Sequence, residues 1–558
     1  MSSKSSRIKA SNSSNFLLQG SILAIAGVIT KIIGIAYRVP LLYIIGEEGM
    51  GYYGIANSIY IVALTLTSYS LPLAVSKLVS ARTATGNYKN AYKVFKGALI
   101  FAIIAGGIVS LIVFFGADFI SVNIMHSESE VVYALRVLSP CIFIVAILGT
   151  IRGFFQGVGS MIPTAISQII EQIVNAAVSI GGSYYLIKLG REAAASGENS
   201  STEAAYGAAG GTLGTVMGAF FALVFVLMIF AAYKKYFNKK IRRDRSVSTE
   251  SYKLIFITLF ATITPVIISG TINNIGDFID SSVFTTVMSA QGVAKKEYIS
   301  LLGIYTGTYA TLTRVPIAIS TALASSFIPS LVSTFHTGTK RDVFKKINTS
   351  IRFNMVIVIP CAVGFFALAR PILDLLFVTQ DNALAANMLR VGALSIIFYC
   401  LSTMTNSVLQ GIDKMMVPVK NAIIALVIYV VSLCIMLIVF KWGIFSIVLS
   451  RIVYSGSISI LNAHAIREEI GYVQEVKKTF AIPALASGVM GLLSALIQLV
   501  LSLFLPSKVS TVLAICFAIV IYFVVLILLR GITENELRTI PMGGRLIRIC
   551  KKVHLLKD

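Results

Sequence analysis

Residues 134–163 read ALRVLSPCIFIVAILGTIRGFFQGVGSMIP, a long apolar run that closes with a glycine-rich turn. A bilayer core of about 30 Å needs about 20 helical residues, so this run can cross a membrane as a helix. The composition agrees, because 56% of the 558 residues are hydrophobic and 13% are charged, whereas soluble domains carry about 25% charged residues. The sequence therefore predicts an all-α polytopic membrane protein.

The same stretch has a second copy later in the chain. Residues 388–418 read MLRVGALSIIFYCLSTMTNSVLQGIDKMMVP. Arg136 and Arg390 are 254 residues apart, and so are Gln156 and Gln410. Two matches in the same order indicate an internal repeat rather than a chance likeness of apolar helices.

A second matched pair sets the length of the repeat. LPLAVSKLVSARTATGNYKNAYKVFK at 71–96 resembles IPSLVSTFHTGTKRDVFKK at 328–346. These segments end the second and the eighth predicted spans, so the repeat unit holds six spans. An even number of spans gives both copies the same direction through the membrane. We therefore predict two parallel six-helix bundles, followed by two extra C-terminal helices.

Hydropathy and length together predict fourteen transmembrane helices. They lie at 16–45, 51–80, 93–116, 131–156, 162–188, 209–234, 252–280, 298–334, 346–378, 383–411, 415–440, 443–466, 476–504 and 507–530. The predicted organisation is a cytoplasmic tail (1–15), an N-terminal bundle (16–234), a basic linker (235–251), a C-terminal bundle (252–466), helices 13 and 14 (476–530) and a basic amphipathic tail (531–558). The glycine-rich segment 190–211 is predicted to be a flexible outer loop.

The basic residues predict the orientation. The net charge of +23 comes from residues that lie mostly in short loops between apolar runs, such as KKYFNKKIRRDR after the sixth span. The alternate loops, such as GEEGMG, are neutral or acidic. The positive-inside rule places both termini in the cytoplasm, and it explains the charge without nucleic acid as a partner. Lys77 and Arg152, close to the inner side, are interpreted as further topology signals.

Several classes of chemistry are disfavoured. No Gly-Lys dipeptide occurs, so the chain lacks a Walker A phosphate loop. The six cysteines and four histidines are scattered and form no ligand pattern. We expect no metal, no cofactor and no enzymatic activity, and we expect transport energy to come from gradients or the membrane potential.

Three cations lie inside predicted spans. Lys31 and Arg38 are seven residues apart in the first span, and Arg314 lies near the middle of the eighth. An ionisable side chain at the centre of a membrane helix costs at least ~2.5 kcal/mol, so it usually faces a cavity or a partner. We predict that these cations bind an anionic substrate between the bundles. Snorkelling to an interface is the alternative, mainly for Arg38.

The fifth span carries a polar stripe. Gln168, Glu171, Gln172 and Asn175 in SQIIEQIVN follow the helical spacing i, i+3, i+4, i+7. A surface helix could present such a face to water, but this span is otherwise apolar. The pattern favours the lining of a substrate cavity.

A second polar cluster lies in the seventh span. It contains Asn273, Asn274, Asp277 and Asp280. Two interpretations fit equally: the cluster binds a coupling cation, or it only meets water. We treat it as a candidate ion site.

Stretches such as GEEGMGYYGIANSIY, LPLAVSKLVSA and SQIIEQ resemble the multidrug/oligosaccharidyl-lipid/polysaccharide exporter superfamily. Within it the chain is similar to the branch of stage V sporulation protein B and the MurJ-type lipid II flippases. The resemblance implies two lobes around a cationic cavity, alternating access, and export of an undecaprenyl-pyrophosphate-linked oligosaccharide across the bacterial inner membrane. It also implies a lipid-tail groove along helices 13 and 14, and a monomer.

The family's functional positions are matched in part. Its first-helix cations correspond to Lys31 and Arg38, and its arginine-and-acid pair before a proline in the eighth span becomes Thr311 and Arg314. Its arginines in the second span have no counterpart. Two alternatives to a flippase remain: a cation-coupled multidrug-type antiporter, and a membrane factor for envelope or spore assembly that transports nothing.

The predicted orientation can be tested by cysteine labelling. A cysteine at Ser196 should react with an impermeant reagent added outside the cell, and a cysteine at Ser246 should react only after permeabilisation. The parent protein gives the background from the native cysteines. The reverse labelling pattern would refute cytoplasmic termini.

Overall fold

The computed structural model describes residues 23, 25–125, 130–195, 201–244, 250–377 and 381–531, apart from the side chains of Pro265, Ser269, Asn273 and Pro329. These residues are almost wholly helical. The predicted tail 1–15, and the predicted tail 531–558 beyond its first residue, lie outside the described residues. The chain divides into two compact units, Met1–Gly307 and Thr308–Asp558. The division falls within a π-helical turn, Tyr305–Tyr309.

The first unit contains ten helices in its described residues. They are α1 (Ile25–Ala36), α2 (Arg38–Thr67), α3 (Leu71–Ala84), α4 (Tyr88–Phe115), α5 (Ala117–Phe119), α6 (Val131–Gly157), α7 (Ile162–Ala195), α8 (Thr202–Arg243), α9 (Tyr252–Ala290) and α10 (Lys295–Ile304). A π-helical turn, Ile120–Ile124, follows α5.

The second unit contains eight helices in its described residues. They are α11 (Ala310–Thr337), α12 (Lys340–Ala367), α13 (Ala369–Leu376), α14 (Ala383–Gly411), α15 (Met416–Ile438), α16 (Phe445–Ile470), α17 (Ile482–Leu501) and α18 (Ser507–Leu528). A π-helical turn, Lys477–Ala481, precedes α17.

The helices are built to cross a membrane. Twelve helical stretches in the described residues are long and apolar enough to span a bilayer, and the 47-residue stretch Arg38–Ala84 counts as one of them. The 34-residue helix α7 falls outside the twelve because its polar residues lower its mean hydropathy. Many isoleucine, leucine, valine and phenylalanine side chains on α4, α15 and α18 are exposed, as expected of faces that meet lipid. The chain is a multi-pass membrane protein.

Two predicted loops are not loops. GEEGMG was expected to separate the first two spans, but the chain turns there by a kink at Gly46, whose φ is 69°. The predicted flexible segment 190–211 is largely helical, because α7 continues to Ala195 and α8 begins at Thr202. The described glycines of this segment, Gly190, Gly207, Gly210 and Gly211, approach neighbouring helices closely instead of loosening the chain.

Glycines on α8 allow α7 and α8 to approach closely. A Cβ atom added at Gly214 would lie 2.5 Å from the carbonyl oxygen of Asn175. A Cβ atom at Gly218 would lie 2.5 Å from the carbonyl oxygen of Glu171. Such small-residue contacts are a common way for membrane helices to associate. They press the polar stripe of α7 against the rest of the first unit.

The turns that follow α6 and α14 have the same backbone conformation. Gly159 and Asp413, 254 residues apart, have φ values of 88° and 63°. In both turns the amide of this residue donates to the carbonyl three residues earlier, and the next amide donates to the carbonyl five residues earlier. The internal repeat is therefore visible in the geometry of these hairpins, whereas two complete six-helix bundles stay a prediction.

The segment that joins α8 to α9 is fixed at both described ends. The carboxylate of Asp244 accepts a 2.8 Å hydrogen bond from the backbone N–H of Lys89, in the first turn of α4. Glu250 accepts bonds of 2.9 and 2.5 Å from the guanidinium of Arg82. The predicted linker 235–251 is thus anchored to the first unit, and the predicted bundle boundaries at its two ends stay a prediction.

The cores of the two units are separate hydrophobic clusters. In the first unit α3, α4, α6, α8 and α9 contribute, with Phe95 and Phe154 at a centroid distance of 4.8 Å. In the second unit α11, α12, α14 and α16 contribute. Helices α17 and α18 pack on α12, where the Tyr522 hydroxyl donates a 2.7 Å bond to the carbonyl of Val356.

The glycine contact predicts a stability effect. Gly214→Ala should lower the unfolding free energy by about 1–3 kcal/mol, because the new methyl group would overlap backbone that cannot move aside. The measurement is the thermal unfolding midpoint of the detergent-purified protein. Gly181→Ala on α7 is the matched control, since a Cβ atom there meets nothing within 4 Å. Equal midpoints for the two variants would contradict the proposed contact.

Candidate functional site

The polar stripe of α7 is held in place by α8. Asn175 is buried, and the Ser179 hydroxyl lies 2.9 Å from its Oδ1 atom and 2.8 Å from the carbonyl oxygen of Gly211. The side chain of Asn175 is also hydrogen-bonded to Tyr37. Asn175 thus connects α7 to the junction of α1 and α2.

Tyr37 and Arg38 form the centre of the site. The Tyr37 hydroxyl lies 3.4 Å from the Tyr53 hydroxyl, and both rings are buried. The Arg38 guanidinium donates to the Tyr37 hydroxyl and lies 6.0 Å from the centroid of the Tyr53 ring. Asp277 on α9 lies within electrostatic range of Arg38. The cation is therefore close to two phenols and one carboxylate.

An ion pair occupies the next part of the stripe. The guanidinium of Arg152, on α6, donates a 2.8 Å bond to Glu171 Oε2 and a 2.9 Å bond to the Ser167 hydroxyl. The Arg152 side chain is 12% exposed. The sequence predicts that Arg152 is a topology signal, but the structure places it in this cluster.

The other predicted ligands lie at varying distances from this centre. Lys31 is on α1 and is exposed. Gln172 approaches the same helix, because a Cβ atom at Gly34 would lie 3.1 Å from its Nε2 atom. The Oε1 atom of Gln168 is buried and has no hydrogen-bond partner among the described residues. These amides supply polar groups beside the two arginines.

The candidate ion cluster lies on α9, and the surroundings of three of its four side chains are described. Asn274 donates a 2.9 Å bond to the carbonyl of Gly270 and lies 3.5 Å from the Thr65 hydroxyl. Asp280 is buried, and Asp277 lies near Arg38. The side chain of Asn273 lies outside the described residues. A cation site at these positions stays a prediction.

Arg314 belongs to the second unit. It lies in α11, partly exposed, two residues before Pro316. Its predicted convergence with Lys31 and Arg38 stays a prediction.

The site has a definite chemical character. Two guanidinium groups are balanced by two carboxylates, and amides and phenols surround them. Guanidinium groups bind phosphate or carboxylate oxygens through two parallel hydrogen bonds, and amides and phenols suit hydroxyl-rich groups. The arrangement can hold an anion that carries polar substituents.

A sequence model of the family described as polysaccharide biosynthesis protein matches residues 17–335, more than half of the chain and all of the site in the first unit. The chain belongs to the polysaccharide biosynthesis protein family. The resemblance to the exporter superfamily and to its flippase branch is confirmed.

Two curated relatives of this family member come from Bacillus subtilis (strain 168). Lipid II flippase MurJ is 26% identical over 506 residues, covering 88% of this chain and 90% of its own. Stage V sporulation protein B is 26% identical over 537 residues, covering 95% of this chain and 99% of its own.

Solved structures share the fold. A lipid II flippase MurJ in an inward closed conformation aligns with a TM-score of 0.63 and 15% identity, covering 91% of this chain and 97% of its own. An inward-facing multidrug resistance MATE family transporter of the MOP superfamily aligns with a TM-score of 0.62 and 16% identity, covering 80% of this chain and 98% of its own.

Sequence reasoning missed three members of the site: Tyr37, Tyr53 and Arg152. The tyrosines lie in apolar segments, where no residue pattern distinguishes them from other aromatic side chains. Arg152 had a signal, since Arg152 and Ser167 fall at the positions that hold Asn406 and Asn421 in the second repeat. Polar residues at both positions of both copies indicate contact between the two helices of the hairpin.

The ion pair predicts coupled stability effects. Glu171→Gln or Arg152→Gln alone should destabilise the protein by about 1–3 kcal/mol, because each leaves one charge without its partner. The double variant should be more stable than the sum of the two losses, since neither charge remains. Thermal midpoints of the four proteins in detergent measure the coupling. Additive losses would contradict a direct interaction between the two side chains.

Proposed function

We propose that the chain is a flippase of the bacterial cytoplasmic membrane. Its substrate is an undecaprenyl-pyrophosphate-linked oligosaccharide, a precursor of peptidoglycan or of another polysaccharide. It moves this lipid outward by alternating access between two six-helix bundles, with both termini in the cytoplasm. The names of the curated relatives and the family membership support this function.

The observation that carries the proposal is the environment of Arg38. A guanidinium at membrane depth, bonded to Tyr37 and next to the amides of α7, has little use in an apolar helix unless a substrate needs it. A pyrophosphate loses its hydration when it enters the membrane. Charge-assisted hydrogen bonds from fixed cations replace that hydration.

The proposed span count is fourteen. The kink at Gly46 separates a first span, α1 with the start of α2, from a second span that continues through α3. Adding α7, whose length of 34 residues is ample for a crossing, brings the twelve apolar stretches to fourteen spans.

Helices α17 and α18 are proposed to carry the lipid tail. They pack on each other and on α12 through a small cluster around Met490 and Tyr522. Large apolar side chains on both helices remain exposed, including Leu492, Leu496 and Phe517. An undecaprenyl chain needs an apolar surface to lie against, and these faces offer one.

A cation-coupled multidrug-type antiporter is the second candidate. The likeness to MATE transporters over 80% of this chain favours it. An antiporter of that kind needs an acidic group that a coupling cation can reach. Glu171 is instead held by Arg152 at 2.8 Å, and Asp277 faces Arg38, which favours the flippase.

Reconstitution tests the function. In proteoliposomes the protein should move a fluorescent undecaprenyl-pyrophosphate sugar between leaflets, measured as the fraction of fluorescence that membrane-impermeant dithionite can quench. Arg38→Ala and Arg314→Ala should each reduce the rate at least tenfold, because the head group loses a charged ligand. Lys31→Arg should retain transport, since it keeps the charge.

Arg191→Ala is the control for those variants. Arg191 is an exposed arginine of α7, paired with Glu203, and its loss should leave transport unchanged. Absence of flux with every lipid carrier, together with cation-dependent drug efflux, would establish the antiporter instead. Normal transport by both Arg38→Ala and Arg314→Ala would show that these cations are not substrate ligands.

A further inference from the structure

We propose that the Arg152–Glu171 ion pair is a switch, in which Arg152 leaves Glu171 for the anionic head group of the substrate and Glu171 then takes up a proton. The inference rests on the proposed function and extends it by coupling proton uptake to substrate binding. Arg152 remains protonated throughout. The one covalent bond that forms is the O–H bond on the carboxylate of Glu171, and the bond that breaks is the one to this proton in a hydronium ion or a protonated buffer molecule, which leaves as water or as the buffer base.

The geometry leaves Arg152 able to bind a second anion. Its Nε atom donates to Ser167 and one Nη atom donates to Glu171. Within the part of the chain that the structure describes, these are the side-chain bonds that Arg152 makes, so three of the five guanidinium N–H groups remain for another acceptor. Ser167, itself buried, keeps the Nε end fixed while the other end exchanges partners.

The second repeat shows what the hairpin needs for its structure. Asn406 and Asn421 occupy the positions that correspond to Arg152 and Ser167. Both asparagines bond to Asn462 of α16, whose Nδ2 atom donates a 2.7 Å bond to Asn406 Oδ1. Asn421 Nδ2 donates a 2.9 Å bond to Asn462 Oδ1. This network is neutral and internally bonded, so the repeat does not require charge at these positions.

The charged pair Arg152–Glu171 therefore gives the first unit a free-energy cost of buried charge that the neutral asparagines of the second unit avoid. A charged side chain inside a membrane span is unfavourable, by ~2.5 kcal/mol or more at the centre of the span, even before its partner is considered. An uncharged hydrogen bond between Ser167 and an amide side chain at position 152 would join α6 to α7 as well. A charged pair at this place is expected where the charge has a further use, and an arriving phosphate supplies one.

The surroundings of Glu171 decide how its charge is neutralised. Among the described residues, Arg152 of α6 contacts it, and Cys141 of α6 and Tyr60 of α2 lie within electrostatic range of it. Helix α8 presents Gly218 there, and α1 presents Gly34 to the neighbouring Gln172. Once Arg152 turns to the phosphate, no other cation in this set faces the carboxylate, and a carboxylate without a counter-charge in an apolar environment favours its protonated form.

Binding of undecaprenyl pyrophosphate to the purified full-length protein tests the switch without transport. Calorimetry near neutral pH in two buffers with different ionisation heats reports the protons taken up. The wild type should take up close to one proton per bound lipid from the buffer. Glu171→Gln should bind with no proton uptake, since its amide is already neutral. Arg152→Gln should bind at least tenfold more weakly.

The pH dependence gives a second readout. If the bound state holds one more proton than the free state, the dissociation constant should rise as pH rises, approaching tenfold per pH unit, and Glu171→Gln should be insensitive to pH. Glu203→Gln and Arg191→Gln are the matched controls, because this exposed pair joins α7 and α8. Both should behave as the wild type.

The outcomes separate the switch from the proposed function. Proton uptake that persists in Glu171→Gln, or wild-type affinity in Arg152→Gln, would refute the switch even if proteoliposomes transport the lipid. The Arg152→Gln/Glu171→Gln double variant shows whether weak binding reflects misfolding, since it lacks both charges. Transport that is absent from the wild type would refute the function itself, whatever the calorimetry shows.

Discussion

A charge inside a bilayer needs a partner, and this requirement organises the first unit. Arg152 meets it through Glu171 at 2.8 Å, and Arg38 meets it through the phenol of Tyr37 and the nearby carboxylate of Asp277. The two arginines and the two carboxylates lie on four different helices. The positions of α2, α6, α7 and α9 around the site are therefore constrained by electrostatics as well as by apolar packing, which in lipid has little hydrophobic driving force of its own.

Small residues make the electrostatic arrangement attainable. Gly214 and Gly218 let α8 approach α7 until backbone meets backbone. This contact fixes α7 against α8, while side chains of the stripe also meet Arg152 on α6 and Tyr37 at the junction of α1 and α2. Other glycines of α8, Gly207, Gly210 and Gly211, fall in a segment predicted to be a flexible loop, because composition alone does not distinguish a glycine that loosens the chain from one that packs a helix tightly.

The two repeats show how one local structure accepts two chemistries. The turns at Gly159 and Asp413 have the same left-handed residue and the same backbone bonds. In the first unit the two helices that flank the turn are joined by Arg152, which bonds Ser167 and Glu171. In the second unit they are joined by Asn406 and Asn421 through Asn462. The backbone sets the distance between the two helices of each hairpin. Arg152 with Glu171 makes the first hairpin charged, whereas Asn406 and Asn421 keep the second neutral at these positions.

The sequence by itself determined the membrane class, the repeat spacing of 254 residues and the polar face of α7, because hydropathy, register and helical period are properties of consecutive residues. It also marked Arg38 as a costly charge that needs a reason. Only the tertiary structure decided that Glu171 pairs with Arg152, that Tyr37 joins Arg38 to Asn175, and that Asp277 lies near Arg38. Apart from the adjacent Tyr37 and Arg38, those partners lie on different helices, and the packing of the helices brings them together at distances that no local pattern records.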